Sequence, residues 1–162
     1  MKKILIAFLF FISFDDILVA QIDLDSLQLD SNRVQQDYIT AIGFKGGYPA
    51  FGALNVKHFL NETNAVELTV GGGFNTIYLQ GLYEIQKPLP EPAGLDWYFG
   101  FGPNIGIGQN VLVSATGLLG LDYTFEEIPL NVAIDTGPIL NIVPAVGVNW
   151  GGGLAIRYVF RK

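Results

Sequence analysis

The stretch Leu154-Ala155-Ile156-Arg157-Tyr158-Val159-Phe160 decides the fold. Side chains alternate across a strand, so Leu154, Ile156, Tyr158 and Phe160 share one face and Arg157 stands among small neighbours on the other. A soluble sheet turns its charge to water. An apolar outer face, a charged inner face and a terminal aromatic instead mark the closing strand of a membrane barrel.

Upstream, the same period of two runs from Tyr38 onward, broken by glycine, proline and asparagine at intervals that suit an antiparallel meander. Eight strands are expected, near residues 38–46, 52–59, 64–72, 76–86, 94–102, 111–125, 128–136 and 151–160. A strand that crosses a bilayer needs only about 9 to 11 residues, so the lengths fit. The fold class is therefore all-β, an eight-stranded antiparallel up-and-down transmembrane β-barrel over residues 38–162. With the N-terminus in the periplasm, an even strand number returns Phe160 there, and residues 60–63, 87–93 and 126–127 become the periplasmic turns. The opposite connections are expected at 47–51, 73–75, 103–110 and 137–150. Only the last is long, and its apolar Ile139, Leu140, Ile142, Val143 and Val146 suggest that it extends the last two strands.

Sorting the strands by parity separates two chemistries. One face carries Ile42, Phe44, Leu54, Val66, Leu68, Phe99, Phe101, Leu119, Leu121 and Ile134, and is almost wholly apolar. The other carries Lys45, Asn55, Thr69, Gln80, Tyr98, Thr124 and Asn131, with a charge network of Lys57 and Arg157 among Glu67, Glu84, Asp96, Asp122 and Asp135. An eight-stranded barrel is filled by its own side chains, so these charges are expected to plug the interior rather than line a conduit. Inner glycines such as Gly100 and Gly120 are expected to make room for Tyr98. Tyr38, Tyr83, Trp97, Tyr123, Phe125, Tyr158 and Phe160 gather near strand ends on the periplasmic side, where amphipathic rings anchor a barrel in the headgroup zone.

The N-terminus adds a compartment. Lys2 and Lys3 precede an apolar run that ends at Phe14, and Leu18-Val19-Ala20 offers a small residue for cleavage before Gln21, so residues 1–20 read as a secretory signal peptide. Residues 21–37 are polar and acidic without periodicity, a periplasmic linker. Asp23, Asp25 and Asp30 lack the central glycine and terminal glutamate of a calcium-binding loop. With no cysteine in the chain, disulfides, thiolate metal sites and cysteine lipidation are excluded. The net charge of −6, without clustered lysine and arginine, argues against nucleic acid as a partner.

The segments Gly43-Phe44-Lys45-Gly46-Gly47-Tyr48-Pro49, Val56-Lys57-His58-Phe59, Gly94-Leu95-Asp96-Trp97-Tyr98-Phe99-Gly100-Phe101-Gly102 and Phe125-Glu126-Glu127-Ile128-Pro129-Leu130, with the closing strand, follow one another along the chain. In this order they resemble the small eight-stranded outer-membrane barrel proteins of Bacteroidetes, and at fold level the chain is similar to barrels of the OmpA and OmpX type. The resemblance implies location in the outer membrane, contact with its lipid, and insertion by the outer-membrane assembly machinery acting on the last strand. It supplies no catalytic residue and no cofactor. Arg161 and Lys162 follow Phe160, where many such proteins end on the aromatic itself.

Three other functions are weighed. Some eight-stranded outer-membrane barrels modify lipid A, chemistry that needs an activated nucleophile, usually serine with a histidine base. Here the lone histidine, His58, falls at the periplasmic end, Ser26 and Ser31 fall in the linker, and Ser114 lies toward the opposite rim. One histidine and no cysteine also make a poor metal site. A soluble lipocalin-like carrier in the periplasm needs an apolar interior and a polar exterior, the reverse of the sorted faces. A surface-interaction protein would place its specificity in the last extracellular loop, around Pro138 or near Trp150. The expectation is a non-enzymatic barrel with a structural or surface-interaction role.

Overall fold

The computed structural model describes residues 38–73 and 75–161. The signal peptide and linker expected over residues 1–37 lie outside the described residues. Eight strands follow in chain order: β1 (Tyr38–Tyr48), β2 (Gly52–Phe59), β3 (Asn64–Gly73), β4 (Thr76–Pro88), β5 (Leu95–Ile107), β6 (Val111–Thr124), β7 (Leu130–Val143) and β8 (Gly147–Arg161). Each pairs antiparallel with its neighbours in sequence, and β8 pairs with β1 to close the barrel.

The register fixes the barrel's shape. Stepping across the sheet from Gly43 through Asn55, Thr69, Gln80, Asn104, Ser114 and Asn141 leads to Gly147 on β8. The partner of Gly43 itself on β8 is Arg157, ten residues further along. A stagger of ten over eight strands tilts the strands by about 40° and sets a backbone radius of about 8 Å. At that tilt the eleven residues of β1 rise about 27 Å along the barrel axis.

Alternation along the strands divides the side chains as the sequence implies. Phe44, Leu54, Leu119, Ile134 and Leu154 are exposed on the outside, whereas Lys57, Glu67, Glu84, Asp122 and Arg157 are buried inside. On the outer face of the strands the exposed charged side chain is Lys87, one residue from the end of β4, while Arg161, of inward parity, is exposed at the rim as the last residue of β8. Both are at the terminal end of the barrel, where β1 begins and β8 finishes. At the far end, the segments 46–54, 70–79, 102–115 and 136–153 contain no charged residue at all.

Four features depart from the sequence-based expectation. β5 runs on through Gly102-Pro103-Asn104 to Ile107, because a proline on the outer face gives up one ladder bond without ending the strand. The expected loop over 137–150 is a paired hairpin with a short turn at residues 144–146, and Pro138 and Trp150 face each other across it. The suggested extension of the last two strands is thus realised, and the positions expected to hold a surface site are part of the wall. On β6 and β7 the register shifts between Val113 and Ser114, leaving Ile142 as an extra residue. Finally, Tyr38 is buried and packs edge-on against Phe59 at 5.5 Å instead of joining the outer aromatics. A bulge between Tyr38 and Thr40 inserts Ile39 opposite β8, and one extra residue exchanges inside for outside.

Candidate functional site

Each of the eight strands places a polar side chain in the interior, because every inward position recurs two residues on. β1 gives Lys45; β2 gives Asn55 and Lys57; β3 gives Glu67 and Thr69; β4 gives Glu84 and Gln86. β5 gives Asp96 and Tyr98, β6 gives Asp122, β7 gives Asn131 and Asp135, and β8 gives Arg157.

The charged members form one alternating chain. Asp135 lies 2.6 Å from Lys45, which lies 2.9 Å from Glu67. Glu67 pairs with the Arg157 guanidinium, whose Nη1 is 3.4 Å from Asp122. Asp122 is 2.8 Å from Lys57, and Lys57 is 2.9 Å from Glu84. Four carboxylates thus alternate with three cations, so each cation has an anion on both sides and the chain begins and ends on an acid. Among the described residues, the groups along it satisfy the charge-pairing that burial demands.

Neutral groups take up the remaining valences. Asn55 accepts from Arg157 Nε and donates to Thr69 at 2.8 Å, and Thr69 donates onward to Glu67 at 3.3 Å. Asn131 accepts from Arg157 at 2.9 Å and donates to Asp122. The Tyr98 hydroxyl donates to Asp135 at 2.7 Å, while the Lys57 ammonium sits 4.7 Å from the centre of its ring. Gly120 makes that reach possible: it stands between Tyr98 and Asp135 in the sheet, and a Cβ there would be 2.5 Å from the ring.

Of the residues singled out from sequence, Lys57, Glu67, Glu84, Asp122, Asp135 and Arg157 come together in the chain. Asp96 stands outside it and is reached through Gln86, which accepts from Lys57 and donates to Asp96 at 2.6 Å. Lys45, which the sequence places on the inner face without assigning it to the network, joins Glu67 to Asp135. Its signal was parity alone. Glu84 is the irregular member: it is within ion-pair distance of Lys57, yet neither of its oxygens has an aligned hydrogen bond. Proximity of charge is real there, and saturation of its lone pairs is not.

The outer aromatics Trp97, Tyr123, Phe125, Tyr158 and Phe160 lie toward the terminal end. Tyr123 and Phe125 meet edge-on at 4.8 Å, as do Tyr158 and Phe160 at 5.2 Å. Nearby, Arg161 donates to the carbonyls of Phe125 and Ile128 and so fastens the β6–β7 turn to the last strand.

Little space remains inside. A cavity of about 30 Å³ lies above Lys45 and Asp135, also lined by Thr69, Gln80, Thr116 and Leu118. That is roughly the room of one water molecule. His58 shares a hydrogen bond of 2.8 Å with Thr40 at the terminal end, whereas Ser114 is buried toward the far end and donates to the Asn104 carbonyl. They do not form a nucleophile and base pair. No cluster of histidine and carboxylate groups suited to a metal ion occurs among the described residues. Comparison with family models, curated proteins and solved structures returns no match to this chain.

Proposed function

We propose that this protein is an integral outer-membrane β-barrel with a structural or surface-interaction role, its interior closed by the ion-pair chain and without catalytic activity. One observation carries the reading. The outer face is apolar over the height of the strands, with its exposed charges confined to strand ends, while the charges inside are buried and paired. Water penalises that outer face, since contiguous exposed apolar surface beyond a few hundred Å² is rare on soluble monomers. Hydrocarbon accepts it, and a closed barrel leaves no ladder edge at that depth. A height of about 27 Å for β1 matches the apolar band of about 25 Å that such barrels present. The signal-like N-terminus and the outer aromatics support the same reading.

The test is migration and extraction. A membrane barrel runs at different positions on a gel before and after boiling, and stays with the membrane fraction at alkaline pH. Release into the soluble fraction, with a single heat-independent band, would sink the proposal.

A further inference from the structure

Two neighbouring-strand ladders are interrupted, and the interruptions are alike. Between β4 and β5 the pairing passes from Gln80↔Asn104 to Tyr83↔Phe101, leaving out Gly81-Leu82 and Gly102-Pro103. Between β6 and β7 it passes from Thr116↔Ile139 to Leu119↔Thr136, leaving out Gly117-Leu118 and Gly137-Pro138. Each gap sets Gly-Leu against Gly-Pro. Proline has no N–H to offer a ladder. At both places the facing backbone comes so close that a Cβ on Gly102 would meet the Gly81 carbonyl, and one on Gly137 the Gly117 carbonyl. On their other sides the same segments are paired without a break, Gly81↔Leu68, Pro103↔Ala115 and Pro138↔Trp150 among them. The gaps are therefore two seams at mid-height, one on each side of the β5–β6 hairpin.

The chemistry on either side of the seams is unusual for this wall. Outside, small residues leave open space: a Cβ on Gly81 or Gly117 would touch nothing within 4 Å. Inside, Leu82, Leu118 and Ile139 are the buried large aliphatic side chains at that height, set among polar neighbours. The buried side-chain oxygens without a hydrogen-bond partner among the described residues are Glu84 Oε1 and Oε2, Asn104 Oδ1 and Thr116 Oγ1. All lie within two residues of a seam.

On the membrane reading above, we propose that the seams are lateral openings by which an amphiphile dissolved in the bilayer reaches the barrel interior. Its hydrocarbon lies against Leu82 or Leu118, and its polar head meets Asn104 Oδ1, Thr116 Oγ1 and the Glu84 oxygen turned away from Lys57, Oε1. Each proline withholds one ladder N–H that lipid cannot supply, so the wall is weakest at these positions and opens there first. The cavity behind Leu118 and Ile139 is small, so entry accompanies widening of the seam.

Because the chain has no cysteine, single cysteines report access cleanly. The probe is a long-chain N-alkylmaleimide confined to phospholipid vesicles that hold the folded barrel. Leu119→Cys, on the outer face, should react and shows that the barrel sits in lipid; its failure to react would count against the membrane reading itself. Given that reaction, Leu82→Cys and Leu118→Cys should label about tenfold faster than Ala133→Cys and Ala155→Cys, which are inward but away from the seams. Adding Pro103→Ala to the first, or Pro138→Ala to the second, restores an N–H and should slow labelling by about tenfold. Equal labelling at all four inward positions, or no effect of the prolines, overturns the inference. Hydrogen exchange on the unaltered protein in lipid reads the same wall without substitutions. The amides of Gly81 and Gly117, which point across the seams, should exchange ahead of the rest of β4 and β6, and uniform protection along both strands overturns the inference as well.

Discussion

Arg157 joins two acids that no other side chain joins, Glu67 and Asp122, and it also donates to Asn55 and Asn131. Replacing it with leucine leaves both carboxylates buried with one cation fewer, a change that typically costs about 3 to 5 kcal/mol. Arg157→Leu should therefore fold poorly, read as the heat-modifiable fraction and the urea midpoint in lipid vesicles; wild-type behaviour would remove the network as a stabilising element. Tyr98→Phe is a milder test, because it removes one donor from Asp135 while Lys45 and the Gly153 amide remain. A loss of about 1 to 3 kcal/mol is expected. Parity made the inward charges legible, but the pairing among them was not. Lys57 and Glu67 lie directly opposite in the sheet, yet Lys57 pairs with Glu84 and Asp122 instead. Contacts across a closed interior depend on the stagger, and the stagger is a property of all eight strands together.

At the scale of the element, alternation made the existence of each strand plain, and β2 falls on its expected residues 52–59. Strand ends were harder, since Gly-Pro-Asn in β5 and Gly-Pro in β7 carry loop chemistry while remaining in the wall. The bulge at Ile39 left no signal in the sequence, because an inserted aliphatic residue looks like any other outward position. A depth profile along β7 follows from the membrane reading. Ile134→Arg, in the middle of the strand, should cost about 2 to 4 kcal/mol in lipid vesicles, and Ile142→Arg, near the rim, about 0 to 1 kcal/mol. Equal costs at the two positions would mean that no hydrocarbon band surrounds β7.

At the scale of the whole molecule, closure and filling are linked. A backbone radius of about 8 Å leaves an interior that inward side chains can occupy from opposite walls. The ion-pair chain crosses it from Asp135 to Glu84, Tyr98 lies beside that chain, and Tyr38 with Phe59 fills the terminal end. Leu82, Leu118 and Ile139 add an apolar layer at mid-height. An ion entering from either rim meets fixed opposite charges already paired at contact distance, and passage requires breaking them. In planar bilayers the wild-type barrel should therefore show no steady conductance. Tyr98→Ala combined with Arg157→Ala removes the ring beside the chain and the link at its centre, and should produce open-channel events in whatever fraction folds. A steady pore in the wild type would contradict a closed interior, and silence in a folded double variant would show that the remaining side chains suffice to block it.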